Sequence, residues 1–440
     1  MLEILSDRRF RRLFAAQVVA LFGTGLASVA LGLLAFDLAG ESAGLVLGMV
    51  FTIKMVAYVT IAPVATAVLE RVPRRLTLVV LDLLRASVAL ALPFVTEVWQ
   101  VYLLIFVLQA ASAGFTPTFQ AVLPDILPEE ERYTRALSLS RLAYDLENVL
   151  SPSLAALLLL FVGGQALFFG TAFGFAASGL LILTVMIPTP MPKKEQPLSL
   201  RLTRGMRIYL ATPRLRGLLA LSFAVAMAGA MVLVNSVVLV RSDLGLSEAA
   251  LAWTMLAFGA GSMLAALVLP RLLNVLADRP VMVSGAMLMV FSLMVLGAVS
   301  ALTGLSFMAV LMAWALMGFG FSAVMTPSGR VLRRSAHAED RPALFAAQFT
   351  LSHLCWLLSY PLAGWALARM GLQPTLWGLA ALALLGALVA LRLWPANDPV
   401  EIEHTHDNLP PDHPHLRGGH RKHSHAMVID EDHPRWGRHF

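Results

Sequence analysis

Apolar residues gather into twelve runs, at roughly 13–39, 44–69, 76–95, 98–123, 136–162, 165–187, 215–240, 247–273, 281–301, 305–329, 344–368 and 373–394. Each run is close to the roughly 20 residues an α-helix needs to cross a hydrocarbon layer. Short polar connections separate most of them. The pattern predicts an all-α integral membrane protein with twelve transmembrane helices.

Composition makes the same point for the whole chain. Of 440 residues, 58% are hydrophobic and only 14% charged, whereas a soluble domain carries about 25% charged residues. That balance excludes a soluble enzyme, a disordered chain, a coiled coil and a secreted disulfide scaffold. Arg8, Arg9, Arg11 and Arg12 ahead of the first run imitate a signal peptide. The run from Leu13 to about Ala39 is too long for one. The single cysteine, Cys355, forbids an intramolecular disulfide and a multi-cysteine metal cluster.

Charge in the connections alternates. One set holds 22 Lys and Arg residues, while the opposite set holds only Arg241 and Arg369. The positive-inside rule makes the first set cytoplasmic, and an even helix count then places both termini there as well. The expected location is therefore a membrane that the chain crosses many times, with both ends on its cytoplasmic side. The net charge of +6 is thereby a topological signal, and no nucleic-acid partner is expected.

Landmarks recur at nearly one spacing. Glu70 and Asp278 open two basic loops; Thr116-Pro117 returns as Thr326-Pro327; Arg132 returns as Arg341. A period near 209 residues implies two parallel six-helix halves. The expected division is a first half at 1–192, a cytoplasmic linker at 193–214, a second half at 215–395 and a disordered His-rich tail at 396–440.

Ionisable residues inside spanning helices are costly unless paired, hydrated or used. Asp82 and Arg85 stand one turn apart in the third run and read as a structural pair. Arg141 and Asp145 have i,i+4 spacing in the fifth run and can also neutralise each other, whereas Glu147 faces elsewhere. Lys54 sits about ten residues from the outer end of its helix, roughly 15 Å deep. Asp145 reaches a comparable depth from the other side. His353 lies near mid-depth in the eleventh run, at the repeat counterpart of Asp145. Asp145, Glu147, His353, Lys54 and Arg141 are therefore the candidate transport and coupling residues, with Asp145 and His353 leading. A satisfied packing histidine is the alternative for His353. Met227 and Met231, at i,i+4, read as packing rather than as copper ligands.

Two apparent enzyme signatures are decoys. Gly40-Glu41-Ser42-Ala43-Gly44 fits a hydrolase elbow and Gly318-Phe319-Gly320 with Ala323 fits a dinucleotide fingerprint, but neither follows a strand. No enzyme activity and no required cofactor are expected.

The tail holds nine of the eleven histidines. His404, His406, His413, His415, His420, His423, His425 and His433 are the candidate metal ligands, with His-x-His at 404/406, 413/415 and 423/425. Imidazole suits nickel, zinc, copper and cobalt(II), so a divalent cation is the expected tail-bound ion. A plain solvated low-complexity tail is the alternative.

Several phrases carry a family resemblance. Glu70-Arg71-Val72-Pro73-Arg74-Arg75 resembles the loop signature of the major facilitator superfamily, with Glu70 and Pro73 where Asp and Gly are usual. The resemblance makes Glu70, Arg71, Arg74 and Arg75 a charge latch that steadies one transport state. Asn148 to Ala156 resembles the glycine-proline motif of antiporters, with Ser151, Ala155 and Ala156 in place of glycines. Arg12-Leu13-Phe14-Ala15-Ala16-Gln17, Phe115-Thr116-Pro117-Thr118-Phe119-Gln120 and the stretch from Arg135 to Glu147 resemble bacterial nickel-resistance exporters of the NreB type. That resemblance implies proton-driven export of nickel, then cobalt or zinc, with metal ions, protons and the lipid bilayer as partners and no obligatory protein partner. Export of drugs or siderophores, and metal sensing without transport, are the alternatives.

Overall fold

The computed structural model describes residues 2–39, 43–70, 72–188, 197–398, 401–406, 415–416, 422–430, 432–433 and 435–437. Arg71, His413, His420 and residues 40–42 lie outside the described residues. Helices of the first half are α1 (Arg8–Ala39), α2 (Ala43–Leu69), α3 (Arg74–Ala91), α4 (Val98–Ile126), α5 (Glu130–Leu159) and α6 (Leu167–Leu183). A shorter α7 (Leu198–Ala211) occupies the linker. The second half comprises α8 (Pro213–Val238), α9 (Glu248–Leu272), α10 (Asp278–Thr303), α11 (Phe307–Arg333), α12 (Arg341–Met370) and α13 (Leu372–Leu393).

Ten of the long helices are apolar enough to cross a membrane. The two outside that group are α5 and α12, which carry Arg141, Asp145, Glu147 and His353. Large apolar side chains cover the outside of the bundle, with Phe94, Leu160, Phe161 and Leu302 among the exposed ones. In water such a surface would drive association; against acyl chains it costs nothing. This is an all-α membrane protein with the expected spanning helices.

Each half packs around its own interior, and the halves meet along seams formed by α2 with α12 and by α5 with α9. The seams are related by the repeat: the second spanning helix of one half meets the fifth of the other. Met227 and Met231 are buried inside the second half, in the packing role their spacing suggests. Small residues allow the closest approach. A Cβ added to Gly318 would meet the Phe258 carbonyl oxygen at 1.9 Å, and one on Gly320 would meet the Gly285 oxygen at 2.5 Å. The glycines of the false dinucleotide fingerprint are thus helix-packing residues.

The described residues of the tail depart from the disordered segment their composition suggests. Strands β1 (Glu401–Thr405) and β2 (Lys422–Ala426) pair antiparallel, with His404 opposite His423 and Ile402 opposite His425. Met427, Val428 and Ile429 are buried, and Ile429 joins the apolar interior of the second half. A few apolar side chains and converging imidazoles give this polar stretch something to fold onto.

Candidate functional site

Helix α5 carries Arg141 and Asp145 one turn apart, and they form an ion pair. Asp145 is 2% exposed and also accepts a hydrogen bond from Ser262 of α9 at 2.6 Å. Arg141 donates to the same serine at 3.2 Å and lies over the Phe321 ring. The pair is therefore tied across the seam between halves. A carboxylate engaged in this way is saturated in this conformation and offers little to a passing cation.

His353 stands at the other seam. Its ring meets the edge of Tyr58 on α2 with centroids 4.8 Å apart, and its Nδ1 lies 2.7 Å from the Phe349 carbonyl. Lys54 lies over the opposite part of this group, 5.7 Å from the Tyr58 centroid. Glu147 lies against α1: a Cβ on Gly25 would sit 2.9 Å from its Oε1. Lys54 is the charged neighbour of both Glu147 and His353. The structure thus brings Lys54 and His353 to the same Tyr58 ring and turns Glu147 toward α1, while Asp145 is held by Arg141 on the other seam.

Beside this group a cavity of about 200 Å³ opens within the first half. Its charged lining is Lys54 and Arg85, with Gln17, Gln109 and Tyr58 among the polar groups. Arg85 is paired with buried Asp82 and held between the rings of Phe115 and Phe175, a structural role.

At the end of the bundle where both termini lie, ion pairs cross between the halves. Asp125 receives Arg74 through one oxygen and Arg341 through the other, the latter at 2.5 Å. Arg74 also donates to the Ala338 carbonyl at 2.9 Å. Arg330 joins Glu130 at 2.5 Å and Asp278 at 2.8 Å. Among the described residues, Glu70 bonds neither Arg74 nor Arg75 of its own loop. It pairs with Arg201 and Arg204 of α7, at 2.7 and 3.1 Å. Arg75 is exposed and takes no part in the described ion pairs. Glu70 and Arg74 therefore engage the linker and α4, and the Arg341 and Arg330 pairs close this end between the halves.

Two overlapping sets of imidazoles converge in the tail: His404, His406, His415 and His433, and His404, His415, His423 and His425. Ligand nitrogens within each set lie within 4.8 Å of one another. Nε2–Nε2 separations are 3.0 Å for His423 and His415 and 3.1 Å for His433 and His404. Nitrogens bound tetrahedrally to one ion stand about 3.3 Å apart, so little rearrangement is needed. Burial first, and then the neighbouring rings, push His406 and His415 down to about 4. They are neutral at pH 7, with lone pairs available to a metal. Asp430 supplies the outer partner, its Oδ1 2.8 Å from His433 Nδ1, and Asp432 lies 3.6 Å from His415 Nδ1. The residues fit a nitrogen-binding divalent ion.

The sequence profile of the Major Facilitator Superfamily matches residues 13–240 and again residues 218–412. The chain belongs to this superfamily. Macrolide efflux protein A of Streptococcus pyogenes is 25% identical over 219 residues, 48% of this chain and 53% of the relative. The superfamily transporter YfiS of Bacillus subtilis strain 168 is 23% identical over 267 residues, 59% of this chain and 63% of its own. The chain thus spans about half the length of the first of these relatives. Among solved structures, the human organic anion transporter MFSD10 superposes with a TM-score of 0.74 at 13% identity, covering 87% of this chain and 99% of its own. A bacterial homologue of the iron transporter ferroportin, in an outward-facing state, gives 0.72 at 14% identity, covering 87% and 98%. These likenesses establish the fold. The molecule is a multi-pass membrane protein of the major facilitator superfamily.

Sequence reasoning did not find several residues of this major facilitator site. Asp125 and Ser262 are ordinary polar residues in a helix, and only the folded chain reveals their partners across the seams. Arg341 did carry a signal, since it occupies the repeat position of Arg132.

Proposed function

We propose that this protein is a secondary active exporter of divalent metal cations, nickel first and cobalt or zinc next, driven by inward proton movement. The observation that carries this reading is the imidazole cluster packed against the second half. In a bacterial cytoplasmic membrane with both termini inside, the tail would meet metal on the side from which it must be removed. Glu147, Lys54 and His353 supply the coupling group. A carboxylate beside a lysine at mid-depth can exchange its proton for a cation's charge as the halves rock, and His353 bridges the two halves. The shut gate corresponds to the state open to the outside.

A second reading has its own support. The cavity beside Lys54 and Arg85 has basic and aromatic walls that suit an organic solute better than a bare cation, and the S. pyogenes relative is named for macrolide efflux. Cells with and without the protein separate the two readings. Lower cellular nickel, cobalt or zinc and higher metal tolerance support metal export. Unchanged metal content together with raised macrolide tolerance would replace it with the organic reading.

A further inference from the structure

The tail has its own small sheet, yet its hydrogen bonds end on the loop that helps to shut the transporter. His433 presents Nε2 to the imidazole cluster and Nδ1 to Asp430 Oδ1, 2.8 Å away. The His433 backbone N–H donates to that same oxygen at 2.7 Å. The other oxygen of Asp430 lies 3.3 Å from Nε2 of His337. This contact leaves the tail and enters the loop between α11 and α12.

That loop closes the gate. Ala338, the next residue, accepts the hydrogen bond from Arg74 of the first half. Asp340 pairs with Arg204 of α7 at 2.5 Å, and Arg341 pairs with Asp125. Neighbouring Cα atoms are about 3.8 Å apart across a rigid peptide, so a displacement of His337 reaches the Ala338 carbonyl directly. The tail is also fastened to the body. Asp398 pairs with Arg214 at 3.3 Å and Arg334 at 2.8 Å, and Arg214 donates to the Met427 carbonyl at 3.2 Å.

We propose that the tail is a metal-operated clamp on the gate: an ion held by His404, His406, His415 and His433 fixes Asp430 against His337 and favours the state in which Arg74, Asp125 and Arg341 are joined. The physical cause lies in the metal-bound imidazole. When Nε2 coordinates an ion, the Nδ1–H of His433 donates to a carboxylate that is thereby oriented. Asp430 is then a positioning residue whose second oxygen is aimed at His337. Without the ion, the His433 ring and Asp430 are held by hydrogen bonds alone, so Asp430 is less firmly aimed at His337 and the loop is less firmly held. Linkage requires the converse: closing the gate raises the metal affinity of the tail by the factor with which metal favours closing. The inference rests on metal binding by the tail and not on which solute is exported.

The test measures distance rather than transport. Full-length protein in lipid nanodiscs carries Cys355→Ala and spin labels at Arg75→Cys and Val275→Cys, one on each half at the gate end. Double electron–electron resonance is recorded without metal and with zinc, which is diamagnetic. Zinc binding to the same samples is followed by calorimetry. Zinc is expected to raise the ratio of short-distance to long-distance populations at least fivefold. His337→Ala should abolish that response while zinc still binds within about threefold of the parent affinity, and His337→Gln, which can still donate to Asp430, should restore it. The proposal is overturned if zinc leaves the unmodified distances unchanged, or does not bind. It is overturned equally if His337→Ala responds in full, or if His337→Gln fails to restore the response in a protein that melts normally.

Discussion

Asp125→Asn tests whether the joined arginines hold the two halves together. Asp125 is 8% exposed at its side chain, and its partners Arg74 and Arg341 are 9% and 18% exposed. An ion pair in open water is worth about 0–1 kcal/mol. Removing one member of a buried pair costs about 3–5 kcal/mol, because the remaining charge loses its compensation. Here one carboxylate serves two guanidinium groups, and opening this end breaks the Arg341 contact and the Arg74 bond to the Ala338 carbonyl, while the Arg74–Asp125 pair stays within the first half. Taking about 3 kcal/mol as the loss from the closed state alone, the open population rises roughly 100-fold. Ala347 is buried at 3% exposure and lines the same cavity as Arg74. In a Cys355→Ala background, Ala347→Cys should react with a maleimide applied at this end in proportion to the open population. Asp125→Asn is expected to speed labelling by one to two orders of magnitude, with a melting temperature lowered by no more than a loss of about 3 kcal/mol allows. A rate within threefold of the parent would mean that each half holds its own arginine locally and that the gate is closed by something else.

Four other outcomes are expected. Arg141→Leu or Asp145→Leu alone should destabilise the protein by about 3–5 kcal/mol by stranding a buried charge, and the double change should recover both melting temperature and export; lost export in a stable double variant would give Asp145 a transport role. Glu147→Gln should cut efflux driven by a pH gradient at least tenfold while leaving solute exchange intact, and normal gradient-driven efflux from vesicles would remove Glu147 from the coupling group. Gly318→Val should lower the melting temperature in detergent by forcing apart α9 and α11, at a cost of 1 kcal/mol or more, on the order of other overpacked sites; an unchanged melt would show that the crossing yields. Deleting residues 396–440 should weaken nickel efflux without abolishing it, because the spanning helices end at Leu393; complete loss in a protein that reaches the membrane would make the tail essential.

The spanning helices were legible because lipid demands long apolar runs whatever their neighbours, and the two halves because Thr116-Pro117 and Arg132 recur in register. Position along a helix was also legible, and it put Asp145 and His353 first, with Glu147, Lys54 and Arg141 beside them. Azimuth was not. Asp145 and Glu147 differ by two positions, yet one faces α9 and the other α1, and only the packing decides which is already engaged. Gate partners were hidden for a similar reason, since Asp125 meets an arginine 216 residues away. The tail's order was half visible. In a strand, His-x-His puts both rings on one face, a pattern that a reading of net polarity passes over.

The mutual approach of α9 and α11 bears on how such a molecule moves. Gly318 faces the Phe258 carbonyl, and Gly261 in turn faces that of Ala315, where an added Cβ would again come within 1.9 Å. Two backbones locked from both sides behave as one beam and have no side-chain layer to shear. Opening and closing must then be spent at the seams, so the second half pivots as a solid body whose bearings are the α2–α12 and α5–α9 contacts.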